Sequence, residues 1–202
     1  MAKQFHDTVL GDAALDQLFR EARSYNAWLP RDVTEGQIEA IYDLMKMGPT
    51  SANMQPARLV WCKSAEAKAR LAEFAMESNK AKIVNAPVCV IIGYDLDFHE
   101  HLPWLFPHTD AKAWFEGNEH FRKESAARNS ALQGAYLMLA ARALGLDCGP
   151  MSGVDLAKVT EEFFSDEPRY HADWICSIGY GDPQSVFERS PRPEFGKFNR
   201  IV

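Results

Sequence analysis

The sequence predicts one three-layer domain of the α/β or α+β class over residues 1–202, and three observations lead there. Amphipathic helical patterns alternate with short apolar strand patterns along the chain. One long segment, SAARNSALQGAYLMLAARAL at 125–144, is helical in composition and small or apolar on most faces, like a helix buried centrally or against another subunit. The length of 202 residues suits a single hydrophobic core, and no repeat, low-complexity stretch or domain boundary divides it.

The elements follow in order. Asp12 is placed to cap a helix whose apolar positions Leu15, Leu18, Phe19 and Ala22 recur at helical spacing. Thr34 and Gln37 form a capping box, Ile38, Ile41 and Met45 mark one face, and Gly48-Pro49 stops that helix. RLVWCK (58–63) reads as a short strand, Ser64 caps an Ala-rich helix reaching about Ala75, and PVCVIIGYD (87–95) reads as a buried strand. Residues 97–119 hold aromatics, histidines and prolines without clean periodicity, as in an ordered excursion or lid. The long helix runs from Ser125 to Leu144 and Gly145 closes it. Asp155 caps a further helix to about Phe164, DWICSIGYGD supplies a third strand, and the tail FERSPRPEFGKF is proline-broken and extended.

Composition excludes several classes. Asp plus Glu number 28 against 22 Lys plus Arg, a net charge of −6, which argues against nucleic acid or an anionic membrane as partner. A bound phosphate must therefore be held by a local site. Cys62, Cys89 and Cys176 lie in apolar runs, and with Cys148 they show no close spacing, as expected of buried thiols in a reducing compartment. The stretch MAKQFHDTVLGD has no apolar signal-like core, and no apolar run approaches the roughly 18 residues of a membrane span, so a cytoplasmic setting is expected.

Familiar catalytic signatures are missing or incomplete. GYGDPQ (179–184) begins a GxG pattern, but the third glycine is absent and Pro183 stands where a phosphate-binding helix would open. There is no GxxxxGK[ST], no HExxH and no GxSxG; Ser51 and Ser152 lie in small-residue loops with no assignable base. His99, His101, His108 and Asp110 could converge on a metal, although histidines in an aromatic lid more often pack or meet substrate. The stretch KMGPTSANMQPAR (46–58) offers Thr50, Ser51, Asn53 and Gln55, hydroxyls and amides that both donate and accept. Such groups suit the edge of a flat heterocycle or a polyol, or equally a well-capped turn.

The ordered set of motifs is more specific than any one of them. Arg23-Ser24 is followed by Pro49-Thr50-Ser51-x-Asn53-x-Gln55-Pro56, by Asn79-x-x-Lys82 before a strand, by a long helix leading to LGLDCGPMSGVD, by IGYGDP and by a C-terminal Pro-Arg-Pro. Along nearly its whole length the chain resembles the nitroreductase family of FMN-dependent oxidoreductases. Within that family GPTSAN, LPWLFPHTDAKAWF, RNSALQGAYL and GPMSG with IGYGD resemble the malonic semialdehyde reductase subgroup of pyrimidine degradation.

The resemblance implies a nitroreductase-like fold, a central mixed, mainly antiparallel sheet flanked by helices, in a domain-swapped-like homodimer with two interfacial FMN sites. Arg23 and Ser24 would touch the ribityl phosphate, with Asn26 at the end of the same motif; many members carry a second basic residue there, so neutralisation rests more on Arg23 and the tail. Pro49, Thr50, Ser51, Asn53 and Gln55 would approach the flavin from the loop, usually the partner subunit's. Asn79 and Lys82 match positions at the isoalloxazine edge, where Lys82 would stabilise charge on reduction. Met151, Ser152 and Gly153 match the segment whose backbone meets flavin N5; other members have Glu where Ser152 stands, and the backbone contact from Gly153 does not depend on it. Arg192 matches a phosphate-binding Arg, and Arg189 may substitute for a Lys that is Ser190 here. The implied activity is ping-pong hydride transfer from NADPH or NADH to a small aldehyde such as malonic semialdehyde, giving 3-hydroxypropionate, with broad nitro or quinone reduction, or flavin binding without turnover, as alternatives. His99, His101, His108 and Arg128 are the candidates to anchor a substrate carboxylate, and Trp104, Phe106 and Trp114 could stack aromatic substrates.

Overall fold

The computed structural model describes residues 9–202, so the first eight residues of the expected 1–202 domain lie outside the described residues. Four strands form one sheet in the order β1-β2-β4-β3, with β1 Ala57–Cys62, β2 Val88–Asp95, β3 Asp147–Met151 and β4 Tyr170–Gly179. Every pair within it is antiparallel, and Ser24 adds an isolated parallel bridge to Cys148 at the β3 edge. β3 was not expected as a strand: Gly149 and Pro150 disguise it, and Pro150 is tolerated because β3 is an edge strand.

Eight α-helices are described. They are α1 Asp12–Leu15, α2 Glu35–Met45, α3 Ala65–Glu73, α4 Glu77–Val84, α5 Leu102–Leu105, α6 Glu119–Ala143, α7 Leu156–Phe163 and α8 Phe195–Phe198. The caps at Thr34, Ser64 and Asp155 are formed, the first as a reciprocal box with Gln37. Asp12 is a correction: it is the first helical residue behind Gly11, which makes no side-chain cap. The chain continues as a π-helical turn Asp16–Arg20 with no buried residue, so the Leu15, Leu18, Phe19 face is not a core face.

The three layers are as expected. α2 and α6 cover one face of the sheet through Ile41, Met45, Leu137 and Ala141 on Val90, Ile92 and Cys176. α3, α4 and α7 cover the other through Leu71, Ile83 and Val159 on Cys89, Ile91 and Ile175. The excursion is ordered and carries its own small core of Phe98, Leu102 and Phe115, packed with Met54, Tyr94 and Ala126. No helix among the described residues is long and apolar enough to cross a membrane.

α6 ends as expected, with Leu144 at the cap and Gly145 at φ +76°, but differs from expectation at its start and in its faces. Asn118, whose side chain accepts from the Phe121 N–H at 3.0 Å, caps the helix about two turns before Ser125, within a charged stretch that carries no apolar period. Its buried face includes Ser125, Asn129, Ser130 and Gln133, whereas Leu132 and Tyr136 are exposed. Gly134 lets α6 lie against β4: a Cβ there would overlap the Trp174 ring. Gly134→Ala should therefore cost about 1–3 kcal/mol. The expected sign is a lower denaturation midpoint at unchanged m-value; an unshifted midpoint would show that α6 is not clamped here.

Candidate functional site

The N-terminal segment is laid along β3. Ser24 bridges Cys148, the Tyr25 N–H donates to the Cys148 carbonyl at 3.1 Å, and the open edge of the sheet is thereby covered. The tail returns to the same segment. Arg23 donates to the Phe187 carbonyl, Asn26 to the Ser185 carbonyl at 3.2 Å and Arg189 to the Ala22 carbonyl at 3.2 Å. Between segment, tail and the end of α6 lies a cavity of about 460 Å³ lined by Arg23, Ser24, Asn26, Arg142, Arg189 and Arg192. Glu188 is the acidic residue on its wall. Among the described residues, the arginines that pair with carboxylates are Arg20, Arg58, Arg70, Arg122 and Arg169, none of them in this cavity.

β3 leads from this cavity to a second group. Cys148 to Met151 is about 10 Å at 3.3 Å per residue, and Gly153 follows immediately. Pro150, Met151 and Ser152 line a cavity of about 220 Å³ with Trp174. The Gly153 carbonyl accepts from the Met76 N–H at 3.0 Å and from Asn79 Nδ2 at 3.2 Å. A Cβ at Gly153 would stand 2.7 Å from Asn79 Nδ2 and 2.8 Å from Met76 Sδ, so a larger residue there would displace the ends of those two side chains. The Lys82 carbonyl accepts from Trp28 Nε1 at 3.3 Å and from Ser177 Oγ at 3.1 Å, which ties α4 to the N-terminal segment and to β4.

The proline-bracketed loop forms a third group. Ala52, Asn53 and Gln55 have φ of +48°, +47° and +41°, left-handed conformations that side chains rarely adopt. Strain of order 1–3 kcal/mol per residue persists only where the surroundings overdetermine the backbone, and such residues cluster at functional sites. Here α6 supplies that constraint. The Ser51 N–H donates to Asn129 Oδ1 at 2.8 Å, the Ala57 N–H to Gln133 Oε1 at 2.9 Å, and Gln133 Nε2 to Gln55 Oε1 at 2.6 Å. Thr50 Oγ1 accepts from the Gln55 N–H at 3.2 Å, and Asn53 Nδ2 donates to the Leu105 carbonyl at 2.8 Å, joining the loop to the excursion. Pro49, Ser51 and Asn53 remain exposed.

Loop and excursion enclose a cavity of about 360 Å³ lined by Tyr42, Lys46, Gln55, Arg58, His101 and Trp104 among others. Beneath it the fully buried Asp95 accepts from Arg58 Nη2 at 2.6 Å, with His101 Nε2 at 3.5 Å and Arg169 Nε at 3.6 Å. One carboxylate thus faces two guanidiniums and an imidazole. His99 is buried, its Nδ1 has no partner, and burial, then the nearby Arg122, pushes its pKa down; it packs rather than presents. His108 lies edge-on to Phe106, and Arg128 is exposed on α6. No cluster of three His, Cys, Asp or Glu side chains able to hold a metal exists among the described residues.

The nitroreductase family profile matches residues 19–181. The chain belongs to the nitroreductase family. A Stenotrophomonas maltophilia protein provisionally named NADH dehydrogenase/NAD(P)H nitroreductase is 56% identical over 96% of this chain and 98% of its own length. A Burkholderia lata protein of the same provisional name is 55% identical over 96% and 99%. Among solved structures, a nitroreductase from Exiguobacterium sibiricum in complex with FMN superposes with a TM-score of 0.83 at 20% identity, covering 97% of this chain and 99% of that one.

In this nitroreductase the expected site residues divide into two sets. Arg23, Ser24, Asn26, Arg189 and Arg192 share one cavity, and β3 links it to Met151, Ser152, Gly153, Asn79 and Lys82. The loop residues 49–55 stand apart, anchored at Asn129, whereas the arginine cavity touches α6 at Arg142. Thirteen residues of helix separate those anchors, about 20 Å at 1.5 Å per residue. Sequence reasoning missed Arg142, Arg58 and Lys46; the available signal was Arg142 as the lone basic residue in the last turn of an otherwise apolar stretch. Gln133→Leu should strand the Ala57 N–H and the Gln55 amide, costing about 1–3 kcal/mol. Amide exchange at Ala57, whose N–H donates to Gln133 Oε1, should quicken; unchanged protection would mean that α6 does not hold the loop.

Proposed function

We propose that this chain is an FMN-dependent NAD(P)H oxidoreductase, active as a homodimer in the cytoplasm, whose acceptor is a small carbonyl acid such as malonic semialdehyde. The observation that carries the reading is the arginine cavity without carboxylate partners, continued along β3 to Gly153, Asn79 and Lys82. Those residues fit a phosphate joined to a flat heteroaromatic ring. The guanidiniums offer an anion bidentate donors, and among the described residues the orphaned Nε of Arg142 is a buried donor lacking an acceptor.

When bound, FMN supplies a carrier that takes hydride from NAD(P)H and delivers it to an oxidised acceptor. The chain's own part is to bind, orient and polarise. Arg23, Arg189 and Arg192 would hold the phosphate, with Ser24 and Asn26 beside it. Asn79 fixes the Gly153 carbonyl, and the backbone of Met151–Gly153 so held would meet the ring. Lys82, anchored through its carbonyl, would place its ammonium where negative charge develops on reduction. The loop Pro49–Gln55, held rigid by Asn129 and Gln133, would serve the flavin of a second copy, because its Asn129 anchor lies about 20 Å along α6 from Arg142 of its own arginine cavity. Exposed Leu132, Tyr136, Tyr42 and Met47, with the tail residues Phe195, Phe198, Ile201 and Val202, offer apolar surface for such a pairing.

The acceptor site we assign is the cavity between loop and excursion, where Lys46, Arg58 and His101 favour a carboxylate. A broader nitro or quinone reductase is the second reading, favoured by the exposed indoles of Trp104 and Trp114. Purified protein should be yellow and should bleach on addition of NADPH or NADH; colourless protein that gains nothing from added FMN would end the reading. Lys82→Met should lower the reduction potential of the bound flavin, and an unchanged potential removes that role. His101→Gln should raise KM for an aldehyde acid several-fold while leaving an uncharged quinone unaffected; equal effects on both would favour the second reading.

A further inference from the structure

We propose that Arg142 is a phosphate ligand of the cofactor cavity, supplying from α6 the positive charge that Asn26 does not. The inference rests on the FMN reading above. Asn26 is neutral and its amide is engaged by the Ser185 carbonyl. Arg189 and Arg192 stand exposed on residues 186–194, which form neither helix nor strand, and Arg192 bonds only its own neighbours Ser190 and Pro191. Arg142 differs in kind. It sits in the last turn of a 25-residue helix, flanked by the buried Ala140 and Ala141, and it lines the cavity.

Its contacts leave capacity for an anion. Nη1 donates to the Leu18 carbonyl at 3.1 Å, its own carbonyl accepts from Gln17 Nε2 at 2.6 Å, and Nε is buried without a partner. Asp147 nearby accepts from the Gly181 N–H at 3.0 Å; burial pushes its pKa up, and that bond and then the Arg142 charge only partly offset the rise. The end of α6 carries the negative pole of the helix dipole, which would repel a phosphate arriving there. A guanidinium in that last turn reverses the local sign, and a phosphate monoester of about −1.5 to −2 charge at neutral pH matches the cavity's arginine excess. Arg142 extends from a packed helix, whereas Arg189 and Arg192 lie on chain without regular structure, so Arg142 is the better preorganised donor.

The full-length chain and its Arg142→Met and Arg142→Lys variants are each titrated with FMN and with riboflavin, which lacks the phosphate, by quenching of flavin fluorescence. Arg142→Met should weaken FMN binding about 10- to 100-fold, as expected for loss of a charged hydrogen bond, and leave riboflavin binding unchanged. Arg142→Lys should fall between, with FMN affinity more salt-sensitive than in the unaltered chain. Equal weakening of both flavins would assign Arg142 a structural role through Leu18 and overturn the proposal, as would unaltered FMN binding. Failure of the unaltered chain to bind either flavin would instead overturn the FMN reading, and the proposal with it.

Discussion

Three side chains buried in the middle of α6 fix the rest of the molecule. Asn129, Ser130 and Gln133 are polar and nearly inaccessible, and each meets a backbone group of another element. Ser130 Oγ donates to the Gly93 carbonyl at 2.9 Å, at the bulge in β2, while Asn129 and Gln133 accept from the loop before β1 and from β1 itself. A buried polar group left without its partner costs about 1–3 kcal/mol, so any slip of α6 along the sheet would forfeit several such terms at once. Hydrophobic burial alone would tolerate such a slip far better, because Leu137, Ala140 and Ala141 are not directional. The polar row therefore sets register, and register holds the left-handed conformations of Ala52, Asn53 and Gln55 in a loop that local preference would unwind.

The same helix organises charge. The chain is acidic overall, with a net charge of −6, yet several cationic groups line two cavities, one at the C-terminal end of α6 and one beside the loop that its middle holds. At the C-terminal end four arginines share a cavity without ion-pair partners among the described residues; near the loop Arg58, His101 and Arg169 crowd the single buried carboxylate of Asp95. Local excess in an acidic chain gives selectivity for a small anion without the general affinity for polyanions that a basic surface would bring. We read the arginine cavity as holding a cofactor phosphate and the loop cavity as holding an acidic acceptor, with positioning and fixed dipoles contributing more than proton transfer.

Much of the fold was legible because its signals are local. The cap at Ser64 and the box at Thr34 are formed by the side chains that announce them, and the runs around Val90 and Cys176 are buried on both faces as apolar runs without alternation should be. β3 was not legible, since a strand containing glycine and proline is stabilised by its partners and by the covering segment at Ser24 rather than by propensity. The start of α6 was missed because its first six residues carry charge and no apolar period. In the site, motif order brought Arg23, Gly153 and Asn79 to notice, but not that Asn79 is spent on the Gly153 carbonyl, nor that Arg142 reaches the same cavity. Those are facts of tertiary approach, and nothing in the spacing of residues 79, 142 and 153 encodes them.

The central claim is that the strained loop of one copy and the arginine cavity of another form one flavin site. Complementation between two inactive variants tests it most directly. One carries a disrupted loop, Thr50→Ala with Asn53→Ala, and the other a disrupted cavity, Arg23→Ala with Arg192→Ala; neither alone should retain FMN. Co-expressed with different tags and purified as the mixed dimer, they should regain one FMN per dimer, because one of the two sites draws both halves from intact copies. A mixed dimer as empty as its parents would contradict the account and place loop and cavity in the same subunit's site.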